Sequence, residues 1–236
     1  MSHHHHFSSL GERAPIDDPE GFIRANTVLQ SPRLIPELRF HLASEMMPLW
    51  QATEEALAEK GVPPPYWAFA WAGGQAVARY VLDRPEVVAG KRVLDFAAGS
   101  GLDAVAAAHA GAAHVEACDI DPFACAAMRA NAEANDVAVS PRTDNLIGAS
   151  ERSWDVVLAG DVFYEKAMAQ AVASWLTDLV AHGTTVILGD PGRFYRPRTG
   201  LKLLREITVE TTLELEDHHL RRTAVWRATG PLETTG

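Results

Sequence analysis

The sequence predicts an α/β fold built on a mostly parallel sheet that an antiparallel C-terminal hairpin closes. Three observations point to it. Short apolar segments rich in branched residues alternate with helical patterns, the rhythm of βαβ units. The loop "AAGSG" joins the first of these segments to a helix start, as ligand-binding α/β sheets do. Near the end, "EITVETTLELED" and "LRRTAVWRAT" are separated by only a short polar connection, too short for a crossover between parallel neighbours.

The elements follow in order. "MSHHHHFSS" reads as an appended tag, so His3 to His6 leave any metal argument, and residues 1–17 are expected to be tag and disordered N-terminus. Apolar spacing suits helices at 18–30 and 48–60, the second ending at Gly61, so 18–65 reads as an N-terminal helical extension. "VPPPYW" is a stiff link into the main domain, 66–236, which begins with the helical "GGQAVARYVLD". Strands are expected at 91–96, 114–118, 137–140, 154–159 and 184–189, each short and apolar, as central parallel strands are. Helices fall between them at 102–110, at 122–134 with Asp121 as cap and Pro122 first in the helix, and at about 165–182. The last carries Met168, Val172, Trp175, Leu176 and Leu179 on one face.

Composition narrows the partners. With 236 residues, 47% of them hydrophobic, the chain can bury one sizeable core. A net charge of −10 with no dense run of Lys and Arg argues against nucleic acid. No apolar stretch reaches the roughly 20 residues that span a bilayer, and no secretion signal is evident, so a soluble, cytoplasmic protein is expected; a monomer is the expected state. Cys118 and Cys125 read as reduced packing residues and His218-His219 as a polar strand end; no metal is expected.

The glycine loop admits two readings. Gly99-Ser100-Gly101-Leu102-Asp103-Ala104 satisfies the dinucleotide pattern G-x-G-x-x-G/A, which alone is weak evidence. A pyrophosphate there would meet Asp95 at the strand end and Asp103 in the first helical turn. A cationic ligand without phosphate fits better, and S-adenosylmethionine is one; Asp95 is the candidate for its amino-acid part. Asp119, ending the second strand, can accept two ribose hydroxyls, a need shared with NAD. In "RTDNL", Asp144 or Asn145 either contacts adenine or belongs to a solvent-facing turn. Ala97, Ile120 and Ala159 complete the candidate cofactor contacts. A dehydrogenase or a non-catalytic nucleotide-binding module is the remote alternative, and no Tyr-x-x-x-Lys is present to support hydride chemistry.

With these features in hand, the sequence resembles the Rossmann-like, seven-strand S-adenosylmethionine-dependent methyltransferases, with helices on both faces of the sheet, and more closely their family 16 protein lysine methyltransferases. "PYWAFAWAGGQAVARY", "VLDFAAGSG", "CDIDP", "GDVFYE" and "GDPGR" together are similar to the electron transfer flavoprotein beta-subunit lysine methyltransferases and their bacterial relatives, over about 18–229. The resemblance implies methyl transfer from S-adenosylmethionine, leaving S-adenosylhomocysteine, to a lysine of a protein, the electron transfer flavoprotein beta subunit foremost. A ribosomal protein lysine or a small amine is the alternative. It implies an acceptor motif Asp-x-x-Tyr or Phe after strand four, satisfied by Asp161-Val162-Phe163-Tyr164, with Asp161 orienting the amine and Tyr164 walling the lysine stem. It also implies that the tryptophan-rich stretch helps form the pocket, through Trp71 and Trp67, although their i, i+4 spacing equally suits a core pair. Phe163, Glu165, Asp190 and Arg193 are the remaining substrate-facing candidates. Ala97 departs from the family's usual loop glycine, and Ala72 from a frequent proline.

Overall fold

A computed structural model describes residues 18–43, 64–211 and 220–234. The expected helix at 48–60, the start at 1–17 and His218-His219 lie outside the described residues. α1 (Pro19–Asn26) is capped by Asp18, whose carboxylate accepts from the Gly21 amide, and it stops earlier than the expected 18–30. Thr27 turns its hydroxyl back onto the Ile23 carbonyl (2.6 Å) and goes extended. β1 (Val28–Gln30) then pairs antiparallel with β2 (Phe40–Leu42). The described part of the N-terminal extension is therefore a helix plus a two-stranded ribbon, with β-branched Thr27 and Val28 ending the helix.

A 3₁₀ turn at Tyr66–Ala68 leads into α2 (Ala72–Asp83). The main sheet follows as β3 (Arg92–Phe96), α3 (Leu102–His109), β4 (His114–Cys118), α4 (Pro122–Ala134), β5 (Ser140–Arg142), β6 (Val156–Gly160), α5 (Lys166–Ala181), β7 (Thr185–Asp190), β8 (Leu201–Glu210) and β9 (Leu220–Ala228). The strand order is β5-β4-β3-β6-β7-β9-β8. Five strands run parallel, and the β8–β9 hairpin closes the sheet antiparallel against β7. The chain order reverses between β3 and β6, and ligands of open α/β sheets bind beyond the strand ends at such a point.

One strand is displaced from expectation, at 140–142 instead of 137–140. The Val137 amide donates to the Ala132 carbonyl (3.1 Å) and finishes α4, so the ladder with β4 starts only at Ser140. Pro141 lacks an amide proton and sits where that costs least, on the edge strand.

Strand alternation divides the core. Val93, Val156 and Leu158 pack with residues of α2 and α4, while Leu94, Phe96, Val157 and Ala159 pack with Trp175, Leu176 and Leu179 of α5. α2 lies on the sheet with no side chain between: a Cβ on Gly160 would sit 2.5 Å from the Gly74 amide nitrogen, and one on Gly189 would meet the Gly73 carbonyl. This close approach brings the first turn of α2 to the end of β6.

Candidate active site

A cavity of about 830 Å³ opens at the C-terminal ends of β3, β4 and β6, within the size range of small-molecule sites. The glycine loop forms its floor. Ala97, Gly99 and Gly101 all have positive φ (55°, 50° and 74°), so three left-handed residues fold the chain between β3 and α3. Asp119 holds this loop from β4, accepting from the Gly99 amide (2.9 Å) and the Asp121 amide (3.0 Å). Buried Asn131 holds it from α4, donating to the Ser100 carbonyl (2.8 Å) and accepting from the His41 amide (2.7 Å).

The inner wall is acidic. Asp95 is buried and accepts from the Ala104 amide (2.8 Å), capping the start of α3. Burial pushes its carboxyl up to about 8, with the Asp119 charge adding to the rise. Asp103, also buried, is driven upward by the same desolvation and by the charges of Asp95 and Asp161. Its Oδ1 accepts no hydrogen bond. Asp119 is raised as well, chiefly by burial.

The outer end is aromatic. Tyr66, Phe69, Trp71 and Tyr164 line the cavity with Met168. Trp71 precedes α2 and donates its indole N–H to the Tyr66 carbonyl (2.9 Å). The Tyr66 and Tyr164 rings lie 6.4 Å apart and both are about half exposed at the mouth. Burial raises the Tyr164 phenol above its ordinary value, so it stays protonated at neutral pH.

Asp161 sits between these ends in the left-handed region, φ 60°. Its Oδ2 accepts from the amides of Gly73 (2.6 Å) and Gly74 (3.2 Å) at the start of α2. Its Oδ1 accepts from Arg193 Nη2 (2.6 Å) and Nε (3.1 Å). The expected orienting carboxylate is thus already paired with a guanidinium and a helix N-terminus. Arg193 is placed by Asp190, whose Oδ1 accepts from the amides of Gly192 (2.7 Å) and Arg193 (2.8 Å).

Of the residues the sequence singles out, Trp71, Asp95, Ala97, Gly99, Asp119, Ile120, Asp144, Asn145, Asp161, Tyr164 and Arg193 all line this cavity. Gly101 supports the loop from below, against Met128. Like Gly101, five others do not line it. Ala159 faces α5, because alternation gives the cavity Gly160 instead. Phe163 is 1% exposed in the same core, turned inward just after the left-handed Asp161. Glu165 caps α5, accepting from the Ala167 and Met168 amides (both 2.9 Å), and those bonds hold its carboxyl low. Asp190 is 1% exposed and acts through the Arg193 loop; burial lifts its carboxyl to about 6. Trp67 is buried and stacks on Phe123 (6.5 Å, 15°), as the core reading of the i, i+4 pair has it. Sequence reasoning missed Tyr66, Phe69 and Met168 as lining residues; the proline run before Tyr66 marked a fixed entry to the site, but Met168 looked like any core position of α5.

The donor set suits a cationic, phosphate-free nucleoside at this loop: carboxylates of Asp95 and Asp103 at the inner wall, and a third, Asp119, holding the loop from the end of β4. A family model described as ribosomal protein L11 methyltransferase (PrmA) matches residues 78–188. The electron transfer flavoprotein beta subunit lysine methyltransferase of Danio rerio is 41% identical over 218 residues, covering 89% of this chain and 83% of its own length. Its Xenopus laevis counterpart is 36% identical over 221 residues, covering 91% and 89%. Among solved structures, wild-type Trm5b from Pyrococcus abyssi shares the fold, with a TM-score of 0.52 at 14% identity over 87% of this chain and 56% of that one.

Proposed function

This chain belongs to the electron transfer flavoprotein beta subunit lysine methyltransferases, enzymes that methylate protein lysines, and we propose that its own substrate is a lysine of the electron transfer flavoprotein beta subunit, with S-adenosylmethionine as donor. The observation that carries the substrate is the extent of the similarity, about nine-tenths of the chain. A ribosomal protein lysine is the second reading, supported by the family model; that match is confined to 78–188 and leaves out the N-terminal ribbon and the closing hairpin.

When bound, S-adenosylmethionine supplies an electrophilic methyl group on a sulfonium. Asp95 would receive its cationic amino-acid end, Asp119 its ribose hydroxyls, and the Asp144-Asn145 turn its adenine. Asp119 retains acceptor capacity for this, since each carboxylate oxygen has more than one lone-pair site. Asp144 is tied to Arg142 (2.8 Å) and Asn145 to the Ile147 amide (3.1 Å), which fixes the turn.

The chain's task at the other end is to present a neutral amine. With a free pKa near 10.4, only about one lysine in a thousand is neutral near pH 7.4, a deficit of roughly 4 kcal/mol. An unpaired carboxylate would deepen that deficit by stabilising the ammonium. Asp161 avoids this because Arg193 offsets its charge at 2.6 Å while its oxygens still accept N–H donors. Tyr66, Phe69, Trp71 and Tyr164 remove the lysine stem from water, which also favours the neutral form, and the proton leaves to solvent.

Deleting the gene tests the substrate. The beta subunit isolated from the deletion strain should lack methylation at one or more lysines that carry it in the parent, as read by peptide mass spectrometry. An unchanged methylation pattern would overturn the assignment.

A further inference from the structure

Exposed apolar side chains collect at one opening of this molecule. Among the described residues, five large ones are more than half exposed, and three of these, Tyr66, Ile120 and Tyr164, line the cavity. A fourth, Phe194, directly follows Arg193 and is 69% exposed. Single exposed apolar residues are ordinary on a protein surface, whereas a group of them at one opening marks a place where another molecule sits. Tyr66 and Tyr164 already serve the lysine stem and Ile120 the cofactor; Phe194 has no part in that chemistry.

The loop that carries Phe194 is braced. Asp190, at the end of β7, accepts from the Gly192 and Arg193 amides and also faces Arg196 Nε at 3.7 Å. The Arg196 guanidinium lies over the Trp226 ring at 4.8 Å, and the Arg196 amide donates to the Arg193 carbonyl (3.2 Å). Further on, Pro197 is buried and the Arg198 amide donates to the Glu233 carbonyl (2.8 Å). Tyr195 packs inward against the α5 core and meets the Phe194 ring edge-on, 5.1 Å away at 85°. Phe194 is therefore held outward by a loop fixed on both sides of it, so a partner meets it at little ordering cost. Burying the ring in a complex removes apolar area from water, a gain the free protein forgoes.

Resting on the reading of a protein lysine as acceptor, we propose that Phe194 is a specificity-determining contact for the protein substrate: an apolar side chain close to the target lysine packs on its ring while the lysine enters beside Asp161. Arg193 joins the two places. Its guanidinium meets Asp161 at 2.6 Å, so the Phe194 backbone stands one arginine side chain and one Cα step from the acceptor carboxylate, roughly 10 Å. An extended segment covers that span in about three residues, which places the side chain that Phe194 reads within about three positions of the lysine. The two arginines nearest the ring are committed, Arg193 to Asp161 and Arg196 to Asp190 and Trp226. What this part of the loop offers the substrate is apolar surface.

Steady-state kinetics of the full chain, with the electron transfer flavoprotein beta subunit as the varied substrate, test the contact. Phe194→Ala should raise KM for the beta subunit by ~10-fold or more and keep kcat within ~3-fold. The pH profile of transfer should not move, and calorimetric affinity for S-adenosylhomocysteine should stay within ~2-fold. Phe194→Leu should recover part of the KM. An unchanged KM in Phe194→Ala would overturn the contact, and so would a lower kcat with a shifted pH profile, which would assign the ring to placing Arg193. Replacing Phe194 with photoreactive benzoylphenylalanine adds a geometric readout. Irradiation with the beta subunit should attach the probe within about three residues of the methylated lysine; attachment to a distant segment, or to a second copy of this chain, would overturn the proposal. Absence of transfer to the beta subunit by wild type would overturn the substrate reading and this contact with it, whereas transfer by wild type with no effect of Phe194→Ala overturns the contact alone.

Discussion

Arg193→Gln is the perturbation that most sharply separates a paired from an unpaired Asp161. The two side chains are 20% and 10% exposed and meet at 2.6 Å. Removing one partner of a mostly buried pair costs about 3–5 kcal/mol; with the guanidinium partly solvated, about 2–4 kcal/mol of unfolding free energy should be lost. Asp161→Asn should cost a similar amount, and the double variant should fall short of the sum by about 2 kcal/mol in a urea-denaturation cycle. The kinetic effect follows from charge. An amine about 5 Å from an uncompensated carboxylate at an effective dielectric of about 20 feels roughly 3 kcal/mol, or about two pKa units, part of it screened. The pH profile of methyl transfer by Arg193→Gln should therefore move up by about one to two units, with a rate loss of about 10- to 100-fold at pH 7.4. Arg193→Lys should recover part of both. An additive cycle together with an unshifted pH profile would refute the neutralising role of Arg193.

Gly160→Ala should destabilise the fold by about 1–3 kcal/mol in thermal or urea melts, because its Cβ would fall 2.5 Å from the Gly74 nitrogen and 2.7 Å from the Gly74 Cα, both backbone atoms. Ala97→Gly should fold at least as well as wild type and bind S-adenosylhomocysteine equally, since Ala97 already adopts φ 55°, a conformation that costs a non-glycine residue about 1 kcal/mol. Asp95 predicts a pH trend for the ligand-free protein. Its folded value, about 8, lies above the unfolded 3.8, so folding binds a proton between these values and the group's contribution is lost as pH rises through that window. Asp95→Asn keeps an acceptor for the Ala104 amide without the ionisation, so its stability relative to wild type should grow from pH 5 to pH 8 in paired urea titrations; a constant difference would count against the buried acid.

Much of this was legible along the chain because the signals are local. The glycine loop, the acids ending β3 and β4, and the Asp121-Pro122 helix start are each written within a few residues. What was not legible depends on direction or on distant partners. Ala159 and Gly160 are neighbours in sequence, yet alternation turns one into the α5 core and the other to the cavity. Phe163 and Glu165 share a motif with Asp161, but the left-handed residue redirects the chain, so that one packs inside and the other caps a helix. The engagement of Asp161 by Gly73 and Arg193 joins segments 88 and 32 residues away, and no local pattern announces it. The shifted third strand has a different origin, a local competition in which the end of α4 claims Val137 before it can join the sheet.

Direct transfer between purified components bears hardest on the central claim. The chain, labelled S-adenosylmethionine and the electron transfer flavoprotein beta subunit of the same organism are combined, with ribosomal protein L11 in a parallel reaction, and labelled residues are mapped. The expected result is label on a lysine side chain of the beta subunit, little on L11, and none with Asp161→Ala. Label on L11 and not on the beta subunit, or transfer that persists in Asp161→Ala, would contradict it.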